Sequence, residues 1–418
     1  MLWIVLTTLL SGAGMLVVGT GLLFSVVGTQ AQAAAFPVLV TGIINSAYFA
    51  GFIFGIFFVP RVIRYVGHVR TFAALASVAS ALPILHALWV EPVFWGVLRF
   101  ITGICLVGLY LVLESWLSVA SPATRRGKVF GIYMAVSGVS LAVGQWLVLV
   151  GGDSSFVAFA LVSVLFSLAL VPITLTRIAE PVAAEVPALD LRVLFGTSPI
   201  AVAGSVASGM LSGAFYSLGQ VFGDRIGMSP VGAATMVATA ILGGAAFQWP
   251  VGVASDRYDR RWVLLACAGA ASLVSLLAFL FALDREPLLI ALALVYGGLT
   301  FPIYGLCVAH ANDLVARDRV LQVTGGLLLL HGLGATIGPT LAASLMDGLG
   351  PGSLMVYFGI VLVGLAGIAR FYIQRRPMNR GEPGQKEDFI PTASTTPAML
   401  KLDPRLTDAE EAVPRGVS

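Results

Sequence analysis

Charged side chains are scarce in this chain of 418 residues, and none occurs before Arg61. Asp, Glu, Lys and Arg together make up 11% of the sequence, whereas a soluble domain carries about 25%. Hydrophobic residues make up 58%, and the mean hydropathy is +0.94. A chain of this length could form two or three soluble domains, but the long apolar runs exclude that and indicate a membrane protein.

Cysteine and histidine are also sparse, which limits the chemistry that the chain can perform. The four histidines are scattered without the paired spacing of metal ligands, so we expect no metal and no cofactor. The sequence lacks a G-x4-G-K-[ST] loop, which argues against direct coupling to ATP. A membrane enzyme would need clustered acids, bases or ligands at one depth, and we expect none here. Three cysteines fall within apolar runs and are predicted to be small buried hydrophobic residues rather than disulfides: Cys105, Cys267 and Cys307.

Apolar runs long enough to cross a bilayer occur twelve times. About 20 residues span the hydrocarbon core, and lipid leaves a spanning backbone no hydrogen-bond partners outside its own helix. The runs lack the alternation of a transmembrane barrel strand. We therefore predict an all-α integral membrane protein with spans at 3–27, 38–59, 71–90, 93–117, 129–150, 156–175, 200–222, 231–252, 262–282, 288–309, 321–345 and 353–373.

The second half of the chain repeats features of the first half. A near-constant offset in a strongly apolar chain indicates a duplicated bundle of helices. A binding site between two such halves is typical of secondary transporters. Three pairs of positions share an offset of 193 to 195 residues: Pro37 with Pro230, Glu91 with Glu286, and Gly138 with Gly332.

Composition divides the chain further. We predict six-helix halves at 1–175 and 200–373, joined by a cytoplasmic linker at 176–199. The stretch from Asp190 to Phe195 in that linker is compatible with a short amphipathic helix. The tail at 374–418 is rich in proline, threonine and charge, and we predict that it is disordered in the cytoplasm.

The distribution of basic residues predicts the orientation. With both termini inside, 21 of the 24 lysines and arginines fall in inner loops or the tail. Only Arg225 and Arg285 lie in outer loops, and Arg99 lies within a span. This asymmetry follows the positive-inside rule. We therefore expect a multi-pass protein of the bacterial inner membrane with both termini cytoplasmic, whose basic residues face lipid rather than nucleic acid.

The loop after the eighth span carries the most specific motif, GVASDRYDRR, from Gly252 to Arg261. It resembles the signature cytoplasmic loop G-x3-D-R-x-G-R-R of the major facilitator superfamily. Arg99-x3-Gly103 in the fourth span and Gly138-x5-Gly144 in the fifth resemble further segments of that family. The resemblance covers about residues 1–375 and implies twelve helices in two halves that surround a central cavity.

The resemblance also implies a conformational latch in the inner loops. Such charge contacts hold helix ends together in one state and break in another. The alternative is a turn that only supplies topogenic charge. The first-half copy departs from the pattern, because Arg64 stands at its acidic position, and the second copy has Asp259 where the family has glycine. The latch candidates are Asp256, Arg257, Arg260, Arg261 and Arg64.

Two charged residues inside the fourth span are the sharpest functional clue. Arg99 and Glu114 are separated by about 22 Å of helix, so they cannot pair directly. Arg99 would stabilise an anionic solute or hold a network at the outer side, and the alternative is a snorkelling side chain. Glu114 is the leading candidate for a proton carrier, and the alternative is an ion pair with Arg125 or Arg126.

Further candidates follow from the helices that line the cavity in the resembled family, which are the first, fourth, seventh and tenth. Asp313, at the inner end of the tenth span, is the second candidate for proton coupling. The remaining cavity candidates are Tyr110, Tyr216, Gln220 and Tyr304. The segment from Glu114 to Leu117 also resembles a little-characterised bacterial subgroup with a Glu-Ser-Trp-Leu sequence at this place.

Together these features predict a monomeric secondary active transporter that moves a small organic solute or drug by alternating access and is coupled to protons. The alternative is a membrane sensor or scaffold with the same fold that transports nothing. Deleting the tail would discriminate, because a transporter should keep its flux and a tail-dependent sensor should lose its output.

Overall fold

The structure is a computed structural model that describes residues 2–122, 125–151, 155–174, 191–316, 319–375, 389 and 396. Fourteen α-helices and no strand occur within these ranges. Most of the predicted linker and of the predicted disordered tail lies outside the described residues. The boundaries proposed for the two halves stay a prediction.

The first six helices are α1 (Leu2–Ala33), α2 (Val38–Val66), α3 (His68–Leu88), α4 (Pro92–Ala120), α5 (Arg126–Leu147) and α6 (Ser155–Thr174). The others are α7 (Leu191–Thr197), α8 (Pro199–Arg225), α9 (Pro230–Arg257), α10 (Arg260–Phe281), α11 (Glu286–Thr300), α12 (Ile303–Asn312), α13 (Val320–Leu349) and α14 (Ser353–Arg375). A short helix at α7 agrees with the amphipathic stretch predicted in the linker.

In the described part of the chain, twelve helical spans are long and apolar enough to cross a membrane, which confirms the predicted fold class. The tenth span differs from the prediction of one continuous helix over 288–309. It consists of α11 and α12, with an interruption at Phe301 and Pro302. Proline has no backbone N–H, so at this point it cannot continue the helical hydrogen-bond pattern.

Serine caps begin two of the helices. The Ser198 side chain accepts a hydrogen bond from the Ala201 N–H, and the Ser229 side chain accepts one from the Gly232 N–H. Each serine precedes a proline at the first helical position, where the missing N–H costs no hydrogen bond. Sequence and structure therefore agree on where α8 and α9 begin.

Glycines allow close packing between helices on both sides of the bundle. A Cβ at Gly103 of α4 would overlap the carbonyl of Tyr48 on α2. A Cβ at Gly334 of α13 would likewise overlap the carbonyl of Val206 on α8. Small residues at such crossings let helix backbones approach closely in a membrane.

The helices form two groups, each with its own hydrophobic core. One core draws on α1 to α6, and the other draws mainly on α8 to α14. The groups meet chiefly where α2 packs against α13 and α5 packs against α9. We call the end of the bundle that carries Arg64 of α2 and Arg257 of α9 the basic end, and the other the opposite end.

Candidate functional site

The two helix groups are joined at the opposite end by Asp347 of α13. Its carboxylate accepts hydrogen bonds from the backbone N–H groups of Val38 and Leu39, at 3.1 and 3.0 Å. Pro37 offers the start of α2 no side-chain cap, so a carboxylate from the other group satisfies these two donors. Arg225 lies 4.0 Å from the same carboxylate.

Further polar contacts between the groups lie toward the same, opposite end. The hydroxyls of Ser46 on α2 and Thr340 on α13 are 2.8 Å apart. The Trp146 indole N–H of α5 donates to Thr235 of α9 at 3.1 Å. These contacts close the molecule at its opposite end.

A cavity of about 790 Å³ lies between the two groups and extends to the basic end. Residues from α1, α2, α4, α5, α8, α9, α11, α12 and α13 line it. Its lining includes Asp256, one residue before the end of α9, and Gly131, in the second turn of α5. A cavity between two helix groups with one closed end is typical of secondary transporters in one of their two access states.

The lining is rich in aromatic rings and hydroxyl groups. Among the described residues that form it, Asp256 is the one carboxylate, and none is a lysine or arginine. Aromatic walls with a few polar groups are typical of sites for small organic molecules. The aromatic lining residues are Phe24, Tyr48, Phe49, Phe52, Tyr110, Tyr133, Tyr216, Trp249, Phe301, Tyr304 and Phe389.

His331 of α13 lies in this lining, and the sequence analysis did not single it out. Its Nδ1 is 2.9 Å from the Ser208 hydroxyl, and its ring is 4.9 Å from the Tyr304 ring, centroid to centroid. The only sequence signal was a histidine within an apolar run. The fold brings α8, α12 and α13 together around it, so a titratable group faces the cavity.

Arg99 does not line the cavity, which corrects its prediction as a solute contact. It is buried, and its Nη2 donates to Asn45 Oδ1 at 3.0 Å. The guanidinium lies 4.8 Å from the Phe24 ring centre and 4.6 Å from that of Tyr48. Asn45 in turn donates to the Ser217 carbonyl of the other group at 3.5 Å. Arg99 therefore supports the closed opposite end, the second role weighed for it above.

Of the four other cavity candidates, three line the cavity and one does not. Tyr110, Tyr216 and Tyr304 line the cavity, and the Tyr110 hydroxyl is 3.0 Å from that of Thr20. Gln220 is buried outside the lining, toward the opposite end of α8. It lies too far along α8 to reach the cavity in this state.

Glu114 is fully buried behind the cavity wall. It accepts a hydrogen bond from the Tyr133 hydroxyl at 3.0 Å, and Tyr133 itself lines the cavity. It also accepts a hydrogen bond from the Thr396 hydroxyl. One tyrosine thus stands between this carboxyl group and the cavity.

Asp313 belongs to a charge cluster at the basic end rather than to the cavity lining. Arg260 Nε donates to Asp313 at 2.7 Å, and its Nη2 lies 3.4 Å from the second carboxylate oxygen. Arg260 Nη1 also lies 3.3 Å from Asp256 and 2.9 Å from the Ser255 hydroxyl. An arginine held in two-point contact suits a structural ion pair, so Asp313 is a weaker proton-coupling candidate than predicted.

The remaining latch candidates occupy different environments. Arg261 pairs with Asp259 at 2.7 Å beside the start of α10. Burial alone would raise the pKa of Asp259, but the hydrogen bonds from the side chain and backbone of Arg261 outweigh it and leave the pKa lowered. Arg64 and Arg257 are exposed. Residues of both α2 and α9 line the cavity, and the role of these charges as a latch stays a prediction.

Comparison with known proteins identifies the family. The sequence model of the Major Facilitator Superfamily matches residues 5–242 and residues 200–407. The chain therefore belongs to this superfamily, and it has the fold of a secondary transporter.

Relatives and solved structures agree with that assignment. An uncharacterized MFS-type transporter of Yersinia enterocolitica is 25% identical over 354 residues, which cover 83% of this chain and 89% of the relative. The uncharacterized MFS-type transporter YcaD of Salmonella arizonae is 25% identical over 345 residues, which cover 81% of this chain and 88% of the relative. A mutant of the nucleoside transporter NupG superimposes with a TM-score of 0.76 at 13% identity, covering 88% of this chain and 99% of that one. A bacterial homologue of the human lysosomal transporter Spinster, in an inward-facing and occupied conformation, superimposes with a TM-score of 0.67 at 16% identity. The match covers 99% of this chain and 98% of that one.

Proposed function

We propose that this chain carries a small organic solute across the bacterial inner membrane by alternating access, with both termini in the cytoplasm. The observation that carries the proposal is the cavity between the two helix groups, closed at one end by Asp347 and Ser46 and extending to the other. Rocking of the groups about this cavity would open the opposite end and close the basic end. With the basic end in the cytoplasm, the structure corresponds to an inward-facing state.

The chemistry of the lining favours a neutral or cationic aromatic solute. Tyrosine and phenylalanine rings offer stacking surfaces and attract cations over their faces. Asp256 brings a carboxylate to the mouth, where Arg260 lies 3.3 Å from it, and the described lining residues include no lysine or arginine. Because Arg99 is hydrogen-bonded to Asn45 outside the lining, an anionic solute would meet no arginine or lysine among the described residues that line the cavity.

Proton coupling is proposed to run through the buried carboxyl group of Glu114. Tyr133 connects it by a hydrogen bond to the cavity, where a solute would bind. A carboxyl group removed from water can exchange a proton when its surroundings change between states. His331, which bonds to Ser208, is a second group positioned to respond to solute and proton together.

The Glu-Ser-Trp-Leu segment is proposed to mark the bacterial subgroup to which the chain belongs. Its residues are all buried and point to different neighbours. The Trp116 ring packs 6.0 Å from the Phe72 ring of α3, while Glu114 faces Tyr133 of α5. The segment thereby ties α4 to both α3 and α5 near the basic end.

Solute binding can be tested by thermal denaturation of the purified protein, because a ligand that binds the native state raises its Tm. The probes are tetraphenylphosphonium as an aromatic cation, a neutral aromatic drug, and an aromatic carboxylate as the anion. We expect stabilisation by one of the first two and none by the carboxylate. Stabilisation by the carboxylate alone would contradict the solute class.

Alternating access can be tested by locking the opposite end. Ser46→Cys and Thr340→Cys place two thiols where two hydroxyls now touch, in a background without Cys105, Cys267 and Cys307. We expect oxidation to abolish flux of the stabilising probe into proteoliposomes and reduction to restore it, while binding persists throughout. Unchanged flux with complete cross-linking would refute the mechanism.

A further inference from the structure

The C-terminal segment contributes a residue to the mouth of the cavity. The backbone N–H of Phe389 donates to Asp256 Oδ1 at 2.8 Å, and its ring lines the cavity. The ring lies against Gly252 of α9, where an added Cβ would come within 2.5 Å of it. Phe389 therefore occupies a niche on α9 that exists because position 252 has no side chain.

A second residue of the same segment reaches the other helix group. Thr396 is buried, and its hydroxyl donates to Glu114 of α4. Buried hydroxyl groups are costly unless they are hydrogen-bonded, and this contact satisfies the Thr396 side chain. Thus Phe389 contacts one half of the molecule and Thr396 contacts the other.

The length of the chain permits this arrangement. Thirteen residues separate the end of α14 at Arg375 from Phe389, and the extended reach over these fourteen Cα–Cα steps is up to about 50 Å. Seven further residues lead to Thr396, with a reach of up to about 25 Å. Helix diameters of about 10 Å make both distances sufficient to cross the basic end.

We propose that the C-terminal segment is the occupant of the basic-end mouth, anchored by Phe389 on α9 and by Thr396 on α4, and that it obstructs the solute path while holding the basic end open. Closing this end would bring the two helix groups together and remove the space that Phe389 and Thr396 occupy. Release of the segment must therefore precede the change of state. The segment is a built-in inhibitor, whatever solute the cavity carries.

The direct test measures access to the cavity. In the background without native cysteines, Ser137→Cys places a thiol in the lining, and its rate of alkylation by N-ethylmaleimide reports the free cavity. A segment docked about 90% of the time should slow alkylation about tenfold. We expect the chain truncated after Arg375 to react about tenfold faster than the full chain. A synthetic peptide of residues 385–400 should restore protection, and the same peptide with Phe389→Ala should not.

Single substitutions in the full chain test the contact without removing the segment. Gly252→Ala should fill the niche, expel the Phe389 ring and accelerate alkylation as truncation does, with no further effect in the truncated chain. Phe389→Ala should act in the same way. A thiol at Asp284, at the opposite end, is the control and should react at one rate in all variants.

Three results would overturn the proposal. Equal alkylation rates for the full chain, the truncated chain and Phe389→Ala would show that the segment does not occupy the mouth. Equal protection by a tail of scrambled sequence and the same composition would show that the bulk of the tail, rather than docking of Phe389 and Thr396, shields the cavity. Faster alkylation of the Asp284→Cys control on truncation would attribute the effect to general loosening of the fold and would likewise reject docking.

Discussion

At the scale of single residues, the two buried charges of α4 differ in whether they connect to the cavity: one holds the bundle together, and the other is linked to a cavity residue. Arg99 is the first of these, because Asn45, Phe24 and Tyr48 surround its guanidinium. Glu114 lies behind the cavity wall and connects to the cavity through its hydrogen bond with Tyr133, which lines it. Sequence placed both on one helix but could not show which partner each would meet.

Arg99→Lys tests the structural role. Lysine keeps the charge but loses the planar group that stacks on two rings, so we expect a stability loss of roughly 1–2 kcal/mol. Tm measured in detergent should fall, while binding of the stabilising probe should persist. Arg70→Lys, at an exposed position, is the matched control and should leave Tm unchanged. Normal stability with lost binding would instead assign Arg99 to the solute site.

Glu114→Gln tests proton coupling, because glutamine mimics the protonated carboxyl group. We expect uphill movement of the solute driven by a pH gradient to be lost, while solute exchange and binding remain. The measurement is flux into proteoliposomes with and without an imposed gradient. Glu91→Gln is the control, because Glu91 caps the start of α4 and is not among the residues that line this cavity. Full proton-driven transport by Glu114→Gln would reject this carrier and move the test to His331.

At the scale of helices, hydropathy and composition predicted most of the architecture. The apolar runs predicted twelve helices, because a backbone that crosses lipid must form its hydrogen bonds within its own helix. They missed the interruption of the tenth span at Pro302, although α9 and α13 each contain an internal proline without a break. The packing around a proline decides the outcome, and that packing involves residues far apart in sequence.

Close helix crossings can be tested with two glycines of α4. Gly103→Ala would force a methyl group against the Tyr48 carbonyl, and overpacking of this kind costs about 1–3 kcal/mol. Gly96→Ala is the control on the same helix, since a Cβ there would meet nothing within 4 Å. We expect a lower Tm for the first variant and an unchanged or slightly higher Tm for the second. Equal Tm values would contradict the close approach of α2 and α4.

At the scale of the whole molecule, the duplicated sequence pattern predicted a pseudo-symmetric bundle with a site between its halves. It did not predict Asp347, His331 or the contacts of Phe389, because each depends on a partner more than 100 positions away. Tyrosines at helical spacing were predictable as cavity residues, since one face of a helix must meet the site. A polar contact between residues far apart in the chain produces no periodic pattern, so it cannot be predicted from one sequence.

Orientation in the membrane stays a prediction of the positive-inside rule. A single cysteine at Asp284 should react with an impermeant maleimide added to intact cells, and one at Arg257 should react only after the membrane is opened. The measurement uses the chain without its three native cysteines. Labelling of Arg257→Cys from outside, with protection of Asp284→Cys, would invert the topology.

The central claim is that the two ends of the molecule open and close reciprocally. Asp347→Ala removes the carboxylate that joins α13 to α2. Because the Asp347 side chain is 33% exposed, we expect the substitution to destabilise the state closed at the opposite end by only about 1 kcal/mol. The population of that state relative to the other would then change about fivefold. Ser344→Ala, exposed on the same helix, is the matched control.

Spin-label distances measure this change directly, with one pair at Val90 and Asp284 for the opposite end and another at Arg64 and Arg257 for the basic end. The account predicts that Asp347→Ala shifts the first distance distribution to longer values and the second to shorter values, while Ser344→Ala changes neither. Two unchanged distributions, or two that shift in the same direction, would contradict alternating access in this chain.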